Sequence, residues 1–240
     1  MDPKFHKTAG NCFNCQGRER SEWCSLGRED VSLLNEIKIC NNYQPSQVIF
    51  YQGNPCLGIH CIEEGTVAIR RTNADGNSMI VRLTHAGQTL GYRSYFSGEP
   101  YAATAEVLSP ARICFLDRMG VKRLLEHNPV LGHNFLRRLA TDLRDAEESR
   151  LQASTLPVRA RVAHLVLTLK DRFSTVDDEG QITIELPLSR QDIASMVGTR
   201  PETIARTIRA LENDSVAHFS GRQVVVPDLD ALLDELEPVV

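Results

Sequence analysis

The sequence predicts an α+β protein with a jelly-roll-like β-roll in its first half, a long amphipathic helix in the middle and a C-terminal winged helix-turn-helix. Three observations lead there. Between about residues 39 and 115, short apolar runs alternate with glycine-bearing turns, the pattern of many short strands. From about 129 to 153, leucines recur at the 3,4 spacing of a helix seam. Between Leu186 and Val226, two short helical patterns meet at Gly198 and are followed by a small hairpin. The chain has 240 residues, 42% apolar and 24% charged, enough for two ordinary globular domains. It divides into a cysteine-rich arm (1–28), a β-roll (29–127), a dimerisation helix (128–153) and a DNA-binding domain (154–240).

In chain order, the arm carries Cys12, Cys15 and Cys24 as C-x2-C-x8-C, with Trp23 either shielding that group or anchoring the arm. The β region follows as Val48–Tyr51, Gly58–Ile62, Thr66–Arg70, Ser78–Leu83 and Arg112–Leu116, separated by turn signals at Gly53, Gly65, Gly76 and Gly87. Cys114 lies in the last of these runs. In the long helix, Leu136, Leu139, Leu143 and Ala146 form the seam on which the helix meets a second copy of itself, flanked by Arg137, Arg138, Arg144, Asp145 and Glu148. The alternative is a helix packed on its own β-roll. A hinge is expected at Ala153–Pro157, and Val158–Phe173 reads as the first helix of the C-terminal domain.

Ser189 is the expected N-cap of a helix over Arg190–Val197, buried through Ile193, Met196 and Val197. Gly198 supplies the turn, and Thr199 is expected to cap a second helix opening at Pro201. Ile204, Ile208 and Leu211 hold that helix to its neighbour, which leaves Glu202 and Arg206, four apart, on the other side. An Arg fork bonds O6 and N7 of guanine, and a carboxylate accepts from the N4 amine of cytosine, so this pair suits a helix in the major groove. Arg190, Thr199 and Arg200 stand at helix starts, where phosphate contacts set register. Thr203, Ala205 and Arg209 complete the DNA-facing set. Taken alone, Glu202 and Arg206 could equally be an ordinary surface ion pair.

The segment Leu188–Arg206, LSRQDIASMVGTRPETIAR, strongly resembles the signature of the CRP/FNR family of bacterial transcription regulators. The resemblance implies a β-roll similar to the cyclic-nucleotide-binding fold, a homodimer on palindromic double-stranded DNA and a contact with RNA polymerase. The family's base-contacting Glu and Arg fall on Glu202 and Arg206, which implies half-sites similar to TTGA and TCAA. Ala205 stands where the FNR branch has Ser and the CRP branch Gly, and offers a thymine methyl only apolar contact. The CRP branch's ribose-binding Glu falls on Tyr92 and its phosphate-binding Arg-Ser near Tyr101 and Ala102, so a cyclic phosphate lacks its guanidinium partner. Arg93 is displaced from a bidentate clamp.

Seven cysteines in a chain expected to stay in the cytosol argue against a disulfide framework and toward metal or redox chemistry. The FNR branch joins three N-terminal cysteines to one in a strand, which places its ligand set on Cys12, Cys15, Cys24 and Cys114 and implies an iron-sulfur cluster, 4Fe–4S, sensing oxygen, nitric oxide or redox state. By residue chemistry alone, zinc or a thiol/disulfide switch fits the same thiols. Cys40, Cys56 and Cys61 read as small buried hydrophobes. The branch's acidic seam residue falls on Ala146, which implies a dimer that does not wait for its signal.

The polar start lacks a signal-peptide core, and the formal charge of −4, with the acidic end Asp228, Asp230, Asp234, Glu235 and Glu237, provides no long-range attraction to DNA. Binding must rest on local basic positions. No triad, paired carboxylate or phosphate loop marks an active site, so no enzyme is expected, and the seven scattered histidines, His6 among them, read as structural or solvated. The remaining alternative is an iron-sulfur electron carrier, which accounts for the cysteines but not for Leu186–Val226.

Overall fold

The computed structural model describes residues 10–177 and 181–236. The start with His6, and Glu237 at the acidic end, lie outside the described residues. Two compact units form, 1–144 and 145–240, and the boundary falls inside the long helix. No helix among the described residues is long and apolar enough to cross a membrane.

The first unit opens with a 3-10 turn at Cys12–Asn14, helix α1 (Gln16–Glu19), a second 3-10 turn at Glu22–Ser25 and α2 (Arg28–Ile37). Strands β1 (Ile39–Tyr43), β2 (Val48–Phe50), β3 (Gly58–Glu64), β4 (Thr66–Thr72), β5 (Ser78–His85) and β6 (Thr89–Leu90) follow. Then come α3 (Tyr92–Ser97), β7 (Thr104–Val107), β8 (Ala111–Asp117), α4 (Arg118–His127) and α5 (Pro129–Thr155). The strands make two four-stranded antiparallel sheets, ordered β1-β8-β3-β6 and β2-β7-β4-β5. All four predicted turn glycines, Gly53, Gly65, Gly76 and Gly87, have positive φ, which favours a residue without Cβ.

Alternation along the strands fills two cores. Ile62, Val67, Ile69, Ala105, Val107 and Ile113 pack between the sheets. Ile59 and Leu116 point the other way and join Trp23, Leu34, Val121, Leu124, Leu131 and Phe135, so the arm, α2, α4 and the start of α5 cover that outer face.

The second unit holds α6 (Val158–Phe173), β9 (Ser174–Val176), β10 (Ile182–Glu185), α7 (Arg190–Val197), α8 (Pro201–Asn213), β11 (His218–Ser220), β12 (Gln223–Val226) and α9 (Leu229–Asp234). Its sheet is ordered β11-β12-β10-β9. α5 continues to Thr155, and Leu156 N donates to Gln152 O before Pro157 caps α6, so the break between the two helices falls at 156–157, inside the segment expected as a hinge. Pro157 cannot donate a backbone bond, and that ends the helix there.

Candidate nucleic-acid interface and cysteine cavity

The helix-turn-helix is built by local rules. Ser189 accepts from Asp192 N while Asp192 accepts from Ser189 N, a reciprocal cap that fixes the start of α7. Gly198 ends the helix in the left-handed region at φ 71°. The expected cap at Thr199 is corrected by one residue: Arg200 is the N-cap of α8, without a side-chain bond, because Pro201 takes the first helical position. Thr199 instead donates its N–H to Ala194 O and is half-buried.

Ile204, Ile208 and Leu211 are buried, and the opposite face of α8 exposes Glu202, Ala205, Arg206 and Arg209, with Thr203 half-buried beside them. Arg200 is exposed at the same end. Arg190 differs from its expected role as a free phosphate ligand: its Nη2 donates to Phe219 O at 3.2 Å and its guanidinium lies 4.9 Å from the Phe219 ring, tying α7 to β11. Arg159 braces the same unit by pairing with Asp214 and Glu235.

The cysteines divide differently from the expectation. Cys12, Cys15, Cys61 and Cys114 line one cavity between the arm and the outer face of the first sheet, with Lys38, Arg18, Trp23 and Glu63. Gly17 is needed there, since a Cβ would meet Ile62 O at 3.1 Å and Gly87 N at 3.3 Å, so α1 lies directly on β3 and on the turn between β5 and β6. Lys38 Nζ donates to Cys12 Sγ at 2.8 Å, although burial still pushes the Cys12 thiol up. Burial likewise holds the Cys61 thiol well above its ordinary value.

Two expectations are corrected here. Cys24 is exposed and does not line the cavity, because the 3-10 turn capped by Ser21 directs Trp23 inward and its neighbour outward. Cys40 and Cys114, paired in register across β1 and β8, form a disulfide, so the bland reading of Cys40 does not hold. Cys61 packs against the core of the sheet's outer face, in keeping with the expectation, and also lines the cavity. Cys56 is buried, as expected, beside the Gly58 carbonyl. As a fit test for the group that the sequence implies, three of the four expected thiols share the cavity and Cys24 stands outside it.

The arm is fastened to α5. Trp23 is buried and meets Phe135 edge-on at 5.5 Å, while its Nε1 donates to Thr89 Oγ1, which donates to Glu22. Asn134 donates to Glu22 O and Ser25 Oγ, both at 2.9 Å. Trp23 is therefore both a wall of the cavity and an anchor. Further along α5, Leu136 and Leu143 are 63% and 62% exposed, Ala146 is exposed and Leu139 is half-buried.

Tyr92 and Tyr101, at the positions of the CRP branch's ribose and phosphate ligands, are both buried. Tyr92 is buried, and its hydroxyl donates to Asp142, which also pairs with Arg82 and, at 3.0 Å, with Arg138. Burial by itself would raise the Asp142 carboxyl, but the bonds from Tyr92 and the two guanidinium groups hold it below the ordinary value. Tyr101 stacks on Phe50 at 3.9 Å and donates to Gly58 O, and Arg93 is exposed on α3.

Residues 40–128 match the cyclic nucleotide-binding domain, and residues 160–235 match the Crp-like helix-turn-helix domain. The chain belongs to the CRP/FNR family of transcription regulators. It is 26% identical over 228 residues to the transcriptional activator protein FnrL of Cereibacter sphaeroides, covering 93% of this chain and 91% of that one. It is 24% identical over 191 residues to a CRP-like cAMP-activated global transcriptional regulator of Mycobacterium tuberculosis, covering 80% and 85%. Among solved structures, FixK2 from Bradyrhizobium japonicum shares the fold, with a TM-score of 0.73 at 21% identity over 85% of this chain and all of that one.

Within the CRP/FNR family, this member carries site residues that the sequence reading passed over. Asp142 interrupts the apolar stripe of α5 three residues after Leu139, a signal that a polar group is wanted inside. Cys61 has no local signal. Only the register that sets it beside Cys114, with Cys40 on that residue's other side, brings the strand cysteines into one row.

Proposed function

We propose that this CRP/FNR-family member is a non-enzymatic, homodimeric, cytoplasmic transcription regulator that reads palindromic DNA and senses oxygen, nitric oxide or redox state through cysteines of its N-terminal arm. The observation that carries the reading is the cavity shared by Cys12, Cys15 and Cys114 beneath an arm that is itself clasped to α5. Thiolates of this kind hold iron-sulfur clusters, whose exposed iron reacts with oxygen and nitric oxide. Cys12 and Cys15 hold the arm side, and Cys114 holds the sheet side. Displacement of the arm reaches α5 through Trp23 on Phe135 and through Asn134, not through Cys114 directly, since α4 intervenes between β8 and α5.

The exposed leucines of α5 support pairing with a second copy, which sets two α8 helices against successive major grooves about 34 Å apart. Glu202 and Arg206 are the base readers; Arg200, Thr199 and Arg209 are phosphate ligands. RNA polymerase is the expected protein partner. The Tyr92–Asp142–Arg82 network argues against cyclic-nucleotide control of the kind named for the mycobacterial relative.

A second reading, a zinc or thiol/disulfide regulator, is favoured by two observations. Cys114 is engaged with Cys40, and the cavity of about 30 Å³ has room for an ion, whereas a four-iron cluster requires the arm to lift. Anaerobic purification followed by iron, sulfide and zinc analysis separates the readings. About four irons and four sulfides per chain with visible absorbance that bleaches in air support the cluster; zinc, or a reversible change in thiol count without metal, supports the second reading.

A further inference from the structure

Strand register leaves one end of the space between the two sheets of the first unit unfilled. His60 of β3 is paired directly with Phe115 of β8, so both side chains share the face that Ile62 and Ile113 present to the second sheet. Phe50, from β2 of that second sheet, lies 5.3 Å from the His60 ring and stacks on Tyr101 at 3.9 Å, while Phe115 lies 4.9 Å from His60. A cavity of about 250 Å³ opens among these rings, with Tyr51 and Leu57, 56% and 67% exposed, at its mouth. Its walls are braced: Gly53 N donates to Tyr101 O, Tyr101 N to Asn54 O and the Tyr101 hydroxyl to Gly58 O. β2 and β5 are opposite edges of the second sheet, so the cavity is separate from the Tyr92–Asp142–Arg82 network, which lies at the β5 edge.

The chemistry of the lining limits what can enter. None of the described side chains around the cavity is charged. His60 is only 7% exposed, and its Nδ1 is buried without a hydrogen-bond partner, a cost that a bound polar group would relieve. Burial pushes His60 down to about 4, so at neutral pH the imidazole is uncharged and offers one N–H and one lone pair. An apolar cavity of about 150 Å³ takes up benzene, so this one has room for one ring or two fused rings. We propose that the cavity binds a small uncharged aromatic molecule bearing one hydroxyl or ring N–H, with Phe50, Tyr101 and Phe115 against its ring and His60 on its polar group. The site draws on none of the cysteines and stands apart from the sensing function proposed for the arm.

The test titrates full-length protein, isotope-labelled at its Ile and Leu methyls and its His rings, with phenol, toluene and benzoate, followed by NMR. Phenol is expected to give saturable shifts at the Ile49 and Leu57 methyls and at a ring nitrogen of His60. Toluene is expected to move the methyls alone. Benzoate is expected to move neither up to millimolar concentration, because the cavity offers a carboxylate no countercharge. His60→Phe should weaken phenol roughly two- to ten-fold, the loss of one hydrogen bond, and leave toluene unweakened. Phenol that fails to saturate the Ile49 and Leu57 shifts overturns the site. Phenol that moves those methyls without moving the His60 nitrogen, or benzoate that binds as tightly as phenol, overturns the ligand class. Both refutations come from wild-type protein, so neither depends on how the variant folds.

Discussion

Replacing Arg206 with Ala isolates the reading of DNA from the stability of the domain that does it. Arg206 stands on the exposed face of α8, while Ile204 at 0% and Ile208 at 6% exposure carry the packing. The variant should therefore unfold within about 0.5 kcal/mol of wild type. A well-formed Arg–guanine fork discriminates by about 1–3 kcal/mol. A dimer uses it twice, so the loss on a palindrome of TTGA-like half-sites is about 2–6 kcal/mol, or roughly 30-fold to over 10,000-fold in affinity. Fluorescence anisotropy on the palindrome and on a scrambled duplex, across a salt series, measures both terms. The expected result is loss on the palindrome, little change on the scrambled duplex and an almost unchanged salt slope. Equal loss on both duplexes with a shallower salt slope refutes the assignment of Arg206 as a base reader and makes it a phosphate ligand.

The other predictions follow the same geometry. Arg200→Ala or Arg209→Ala should weaken both duplexes alike and lower the salt slope by about one per contact, checked in the same titrations. Leu136→Asp combined with Leu143→Asp should give monomers in analytical ultracentrifugation with the protomer still folded, because both side chains are exposed within it; metal-free wild type, with Ala146 on the seam, should sediment as a dimer. Trp23→Ala removes a side chain only 1% exposed and should cost about 3–5 kcal/mol, read as faster proteolysis and hydrogen exchange of the arm and of α5 around Phe135. Burial pushes His60 down to about 4 from 6.5, so the unfolded chain takes up its proton first. Stability contributed by neutral His60 is full above about pH 6.5 and falls toward pH 4 by about 3 kcal/mol, a slope that His60→Phe should flatten in urea melts followed by tryptophan fluorescence.

Local chemistry explains why some of this was legible in the sequence. The Ser189–Asp192 cap, the positive φ at Gly198 and the buried Ile204, Ile208 and Leu211 are all short-range consequences of residue type, and α7 appears over the predicted Arg190–Val197. The β-roll turns were readable because glycine is favoured where φ is positive. The displaced cap at Thr199 is a one-residue competition that Pro201 wins by fixing its own φ. The cysteine site was only half legible. Spacing along the arm brings Cys12 and Cys15 together but says nothing of which way a 3-10 turn points Cys24, and strand register, a long-range property, decides that Cys40 and Cys61 flank Cys114. The Tyr92–Asp142–Arg82 network joins α3, α5 and β5 and has no counterpart in any local pattern.

On the proposed function, the state of the arm cysteines governs DNA binding. The most direct test follows operator affinity and the visible absorbance of one reconstituted anaerobic sample together while air is admitted in steps. Affinity that falls in proportion to the bleaching, and is unaffected by air in Cys12→Ala protein, is the predicted result. Operator affinity that stays constant while the absorbance disappears would contradict it and leave a DNA-binding protein whose cysteines play no part in control.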